Sequence, residues 1–170
     1  MRALHLRLPV HPSTPGHVRR QLRRWLRQVG WPGEHAEDLV LAVDEAVSNA
    51  VEHAYITPDP GQAPPEQPPR VELCVADRTA ADASHRAVVT VTDHGRWRPR
   101  VVGSGSPGRG LQLMRALTES VDVTVTGAGT RVKMISRAVR VSGTRAADTA
   151  RRLGDVGAML LFAWRTPGFC

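Results

Sequence analysis

The segment LAVDEAVSNAVEHAY, residues 41–55, combines a helical pattern of small apolar side chains with polar side chains one turn apart. Glu45, Ser48, Asn49 and Glu52 have the spacing i, i+3, i+4 and i+7, which places them on one face of a helix. Asparagine is unfavourable inside helices, and an unpaired buried amide costs about 1–3 kcal/mol. We therefore expect Asn49 either to bond to a neighbouring loop or to face a ligand.

The segment 41–55 is the C-terminal part of a longer predicted helix, the second of the chain. A strand and a first helix are predicted before it. Leucines alternate with polar residues over 3–10, which predicts a strand. Helical spacing then runs from Ser13 or Thr14 to about Val29. The second helix is predicted from near Gly33 to Tyr55. Its inward-facing residues are Ala36, Leu39, Val40, Val43, Ala46, Val47, Ala50 and Ala54.

The remaining pattern completes an α+β chain. A proline-rich loop over 57–70 leads to strands with period-two alternation over 71–76 and 87–93. A Gly- and Ser-rich stretch then precedes a short helix over 111–120 and a strand pair over 121–136 that turns at 127–129. The order predicts a two-layer sandwich, with helices on one face of a mixed, mostly antiparallel sheet. We assign residues 1–137 to this domain and 138–170 to a C-terminal tail, either one helix or disordered.

Composition limits the classes of protein. The 170 residues carry a net charge of +7, almost all from scattered arginines. In the densest run, residues 19–27, we interpret the arginines as the solvated face of an amphipathic first helix, in preference to a nucleic-acid-binding patch. An acidic protein partner would also suit this surface. From the apolar runs and the first ten residues we expect neither a membrane span nor a signal peptide. The two cysteines, Cys74 and Cys170, are expected to be free thiols in a cytoplasmic protein.

Three short motifs follow the polar helix. Asp93 ends a strand and is followed closely by Gly95, so a carboxylate lies at the sheet rim where the backbone can approach a ligand. Fifteen residues later GRGL, from Gly108, runs into a helix, whose N-terminus is a common seat for phosphate. GAGTRVKM then places Thr130 at a hairpin. Each motif alone is weak, but their order and spacing together are specific.

DEAVSNAVEHAY, VTDHGRW, GRGLQLMRAL and GTRVKM resemble the four boxes of the GHKL ATPase superfamily, which includes gyrase, MutL and sensor histidine kinases. The sequence is most similar to the anti-sigma-factor serine kinases of bacteria, and the resemblance covers residues 1 to about 137. It implies ATP and Mg²⁺ as cofactors. By this resemblance Glu45 would be the general base and Asn49 would ligate the metal.

The resemblance also implies contacts to the nucleotide. Asp93 would accept a hydrogen bond from the adenine amino group, Gly95 would let adenine lie close to the chain, and Thr130 would bond near the ring. The segment from about 97 to 107 would be the lid over ATP. The phosphates would be held at the helix start, by Gly108, Arg109, Gly110 and Leu111.

The sequence departs from the superfamily pattern at two residues. Trp97 replaces the last glycine of the D-x-G-x-G motif, and Glu52 stands where relatives often have lysine. His53 and His94 are interpreted as structural or surface groups. Asp44 has no assigned role and is expected to be a solvated or capping carboxylate.

The resemblance implies an ATP-dependent serine/threonine kinase and anti-sigma factor. Such a protein sequesters a sigma factor and phosphorylates an anti-sigma-factor antagonist. The alternative is a non-catalytic regulator that holds a nucleotide and switches partners. The catalytic half of a histidine kinase is a weaker alternative, because no dimerising helix pair precedes the first strand. Relatives commonly dimerise, so a homodimer is compatible with the sequence.

Overall fold

The structure is a computed structural model, and it describes residues 2–54, 69–94, 109–126 and 129–141. The predicted elements are present there in the predicted order. The proline-rich loop up to residue 68, the lid over 97–107 and the tail from 142 lie outside the described residues. The elements are β1 (Ala3–Pro9), α1 (Thr14–Gln28), α2 (Gly33–Ala54), β2 (Arg70–Thr79), β3 (His85–Asp93), α3 (Arg109–Leu117), β4 (Ser120–Thr126) and β5 (Gly129–Ile135).

The five described strands form one sheet in the order β1-β2-β3-β5-β4. All four pairings are antiparallel, so the α+β class is confirmed but the sheet is not mixed. The single-helix connection through α3 does make β4 run in the same direction as β3. However, β5 lies between these two strands and pairs with both, which leaves no parallel neighbours among the described strands.

The core lies between the helices and one face of this sheet. The apolar residues of α1 at helical spacing are buried, as are the predicted inward-facing residues of α2 up to Ala50. The alternating residues of β2 and β3 are buried opposite them, which confirms the period-two pattern. Residues that are almost fully buried include Val18, Leu22, Leu26, Leu39, Val43, Val47, Leu73, Val75, Val89 and Met134.

Two ion pairs join α1 to α2. Arg19 Nη1 donates to both carboxylate oxygens of Asp44, at 2.8 and 2.7 Å. Arg23 binds Glu37 in a similar two-point arrangement, with Nε at 2.9 Å and Nη2 at 2.6 Å. The hydrogen bond from Arg23 holds the pKa of Glu37 below its ordinary value. The expectation that Asp44 is a solvated or capping carboxylate is therefore wrong, because it binds the neighbouring helix.

The chain after β5 is packed onto the domain as far as it is described. Val139 is buried, and its backbone exchanges two hydrogen bonds with His85, of 2.8 and 2.9 Å. The imidazole of His85 in turn lies 3.0 Å from the Asp77 carboxylate. Val139 thus pairs with the first residue of β3, whereas the predicted domain boundary at 137 remains a prediction.

Cys74 is disulfide-bonded, so the prediction of a free thiol is wrong at this residue. None of the helices within residues 2–54, 69–94 and 109–126 has the length and apolar character needed to cross a membrane.

Candidate functional site

The polar stripe of α2 lies at the border of the core. Glu45, Ser48 and Asn49 are half-buried and Glu52 is exposed. The apolar residues that separate them along the helix are buried. The stripe is thus neither in the core nor on the fully solvated face, which is the position that a ligand-facing row of side chains requires.

Glu45 packs directly against the first turn of α3. A Cβ built on Gly110, the second residue of that helix, would overlap Oε1 of Glu45 and lie 2.8 Å from its Cδ. The first turn of a helix carries backbone N–H groups without intrahelical partners and the positive end of the helix dipole. The structure therefore brings the predicted base and the predicted phosphate-binding turn together, although they are distant in sequence.

Asp93 and Thr130 face each other across β3 and β5. They are direct partners in the antiparallel register, so their side chains lie on the same face of the sheet. Gly129 makes this approach possible: its φ is +135°, and a Cβ there would overlap the carbonyl oxygen of Asp93. Sequence reasoning noted Gly129 only as part of a turn. Its signal was the GAGT hairpin next to a strand end.

Helix α2 carries Glu45 and is in contact with the elements that carry Gly110 and Asp93. It packs against β3, which ends at Asp93, and against α3, which begins beside Gly110. The predicted base and metal ligand on α2, the rim carboxylate on β3 and the predicted phosphate-binding turn of α3 therefore belong to elements that are connected through α2.

Asn49 fits the part of a metal ligand. Its side chain is half-buried and makes no hydrogen bond to any residue that the structure describes, so the bond to a neighbouring loop is not found there. An amide carbonyl is a hard neutral oxygen donor, and Mg²⁺ accepts such a ligand alongside phosphate oxygens and water. In the described ranges no three His, Cys, Asp or Glu side chains group together as a metal site.

A cavity of about 450 Å³ adjoins the far end of the stripe. It is lined by Ser48, Val51 and Glu52 of α2 and by Pro12 and Pro15 at the start of α1. Two members of the stripe thus face open space beside the N-terminal turn of α1.

The other predicted residues are only partly placed. Arg109 is exposed and Leu111 is half-buried, both in the first turn of α3. Gly95, Trp97 and Gly108 lie outside the described residues. His94 is half-exposed, 3.6 Å from Glu72 Oε1, which agrees with its interpretation as a surface group.

Comparisons with known proteins agree with this geometry. Residues 8–136 match the histidine kinase-like ATPase domain family. The serine-protein kinase RsbW of Bacillus velezensis is 31% identical over 126 residues, which cover 71% of this chain and 76% of that protein. RsbW of Bacillus subtilis is 30% identical, with the same coverage of 71% and 76%.

A solved structure shares the fold. It contains the RsbU and RsbW domains of a Mycobacterium tuberculosis protein, and it aligns with a TM-score of 0.57 and 29% sequence identity. The alignment covers 81% of this chain but only 33% of that longer chain.

Proposed function

The chain belongs to the histidine kinase-like ATPase domain family, and on this premise we propose that it is an ATP-dependent protein serine/threonine kinase of the anti-sigma-factor type. The observation that carries the proposal is the contact between the Glu45 carboxylate and the first turn of α3 at Gly110. It sets an acid–base group beside the helix end that suits a phosphate, as phosphoryl transfer requires. The two relatives named as serine-protein kinases support the same activity.

We assign the transfer step to α2. Glu45 would orient the serine or threonine hydroxyl of the substrate and take its proton. Asn49 would hold Mg²⁺ through its side-chain carbonyl oxygen. When bound, ATP would supply the phosphoryl group and Mg²⁺ would neutralise part of its charge. Glu52 lies one turn beyond Ser48, and its exposed carboxylate adds negative charge to that edge of the site.

We assign the adenine to the sheet rim and the phosphates to α3. Asp93 would accept from the adenine amino group, with Thr130 opposite it and Gly95 allowing close approach. The phosphate contacts would come from Gly108, Arg109, Gly110 and Leu111.

The proposed partners are a sigma factor, which the protein sequesters, and an anti-sigma-factor antagonist, which it phosphorylates. The protein would therefore act in transcription regulation, in the cytoplasm, as a monomer or a homodimer. Support for a protein partner comes from α1, where Arg20, Arg24 and Arg27 are exposed and make no ion pair with a described residue. This surface suits an acidic protein.

The test begins with the antagonist recovered from the native cytoplasm by pull-down. We expect label from γ-³²P-ATP to appear on a serine or threonine of that protein in the presence of Mg²⁺. Glu45→Gln should slow transfer by about a hundredfold or more but retain the thermal stabilisation by Mg²⁺-ATP. Glu52→Gln, on the same helix face, is the matched control and should still transfer.

Two outcomes would contradict the proposal. Transfer at the wild-type rate in Glu45→Gln would exclude Glu45 as the base. Stabilisation by nucleotide without transfer to any recovered partner would identify the alternative, a non-catalytic nucleotide-holding regulator.

A further inference from the structure

The backbone conformation at residue 110 does not require glycine. It lies within α3, and the glycines with positive φ in the described ranges are Gly30 and Gly129. Inside a helix glycine is less favourable than alanine, by about 1 kcal/mol. The reason for its presence must therefore be the space that a side chain would fill.

The atoms nearest to that space belong to one side chain, that of Glu45. The three heavy atoms nearest to a Cβ built on Gly110 are Oε1, Cδ and Cγ of Glu45, the last two at 2.8 and 2.9 Å. Because Cγ is included, the whole outer half of the Glu45 side chain would have to move. Gly16, in the first turn of α1, is different: a Cβ there would make only ordinary contacts with arginine tips, at 3.6 and 3.7 Å.

We propose that Gly110 is a positioning residue for Glu45. Its missing side chain leaves a slot in the first turn of α3 that fixes the carboxylate beside the phosphate-binding end of the helix. The catalytic part of this inference rests on the function proposed above. It gives residue 110 a task separate from contact with phosphate, and it links the orientation of the base to the docking of α3 on α2.

The first test is a thermal-unfolding cycle without nucleotide. Gly110→Ala should lower Tm in the wild-type background, because Glu45 is displaced. In the Glu45→Ala background the same change should leave Tm equal or raise it, because alanine is the better helix residue. In the Glu45→Gln background the loss should persist, because the amide has the same size as the carboxylate.

Two further variants complete the cycle. Gly16→Ala, the matched control, should not lower Tm. Glu45→Asp is one methylene shorter and should restore part of the Tm that Gly110→Ala loses. Equal shifts from Gly110→Ala in the presence and absence of the Glu45 side chain would overturn the inference.

The second test separates positioning from phosphate binding. Gly110→Ala should reduce the rate of phosphoryl transfer by about a hundredfold, the scale of a lost general base, with a smaller change in Mg²⁺-ATP affinity by calorimetry. Adding it to Glu45→Ala should cause no further loss of rate. An affinity loss that is the same in both backgrounds would overturn the inference in favour of a phosphate contact.

The proposed function can fail separately. A wild-type protein that transfers no phosphate but shows the coupled Tm shifts would contradict the kinase assignment and leave the steric link between Gly110 and Glu45 established.

Discussion

Replacing Gly129 by alanine should destabilise the protein and weaken nucleotide binding together. The residue is buried at the start of β5, its φ is +135°, and a Cβ would lie 2.9 Å from the carbonyl carbon of Asp93 and 3.0 Å from the Cα of His94. These neighbours are backbone atoms of β3 and its continuation. The clash can therefore be relieved only by separating the two strands.

The magnitude follows from two contributions. A non-glycine residue held in this half of the φ/ψ map costs about 1–3 kcal/mol. Overpacking that forces backbone to shift costs about another 1–3 kcal/mol. A total near 4 kcal/mol is a large share of the stability of a typical domain, about 5–15 kcal/mol. At about 2–4 °C per kcal/mol for a chain of this size, Tm should fall by about 8–16 °C.

The assay is thermal unfolding with and without Mg²⁺-ATP. Gly33→Ala is the matched control, because a Cβ at Gly33 meets nothing within 4 Å and its Tm should change little. In Gly129→Ala the stabilisation by Mg²⁺-ATP should also shrink, because Asp93 and Thr130 no longer face each other in register. A Gly129→Ala protein that unfolds within about 2 °C of Gly33→Ala would refute the steric argument.

Three further changes test other parts of the structure. Asn49→Ala should alter the stability of the nucleotide-free protein by less than about 1 kcal/mol, because the Asn49 amide has no partner among the described residues. The same change should remove most of the stabilisation by Mg²⁺-ATP but not the stabilisation by ATP without metal. Asp44→Ala should lower the free energy of unfolding in urea by about 1–2 kcal/mol, a value that already allows for the 42% exposure of the Arg19 side chain. An unchanged free energy of unfolding would show that the Arg19–Asp44 pair does not stabilise the protein. Because the pKa of Glu37 is lowered by Arg23, their pairing should stabilise the protein above the ordinary carboxyl value of 4.5 and lose its effect as the pH falls through the folded-state pKa. Urea unfolding across that range should show a shallower acid dependence for Glu37→Gln than for the wild type, and an unchanged slope would contradict the assignment.

The fold was largely predictable because each element has a local period. The alternation of Val71, Leu73 and Val75 identifies a strand with one buried face, and the spacing within α1 identifies a helix. The neighbour relations of the strands are not local. The insertion of β5 between β3 and β4 removes the parallel pairing, and no residue pattern within a single strand encodes that choice.

The candidate site was predictable in its residues but not in its contacts. Helical spacing alone placed Glu45 and Asn49 on one face, and a strand end placed Asp93 at a rim. The pairing of Asp44 with Arg19 depends on how α1 and α2 lie against each other. The contact of Glu45 with Gly110 likewise depends on the docking of α3, and neither short-range spacing nor a family resemblance specifies it.

The central position of β3 in the sheet has a consequence for local unfolding of the protein. Asp93 is the last residue of β3, the middle strand of the five that the structure describes, and the backbone of β3 is hydrogen-bonded to a strand on each side. The amides of β3 should therefore exchange with solvent only on global unfolding. Arg109–Leu117 is a nine-residue helix with one fully buried side chain, Met114, and should open at a much lower free energy. Recognition of the adenine ring would thus depend on the slowest-exchanging part of the molecule. Helix α3, which would hold the phosphates, could open more easily and release the product.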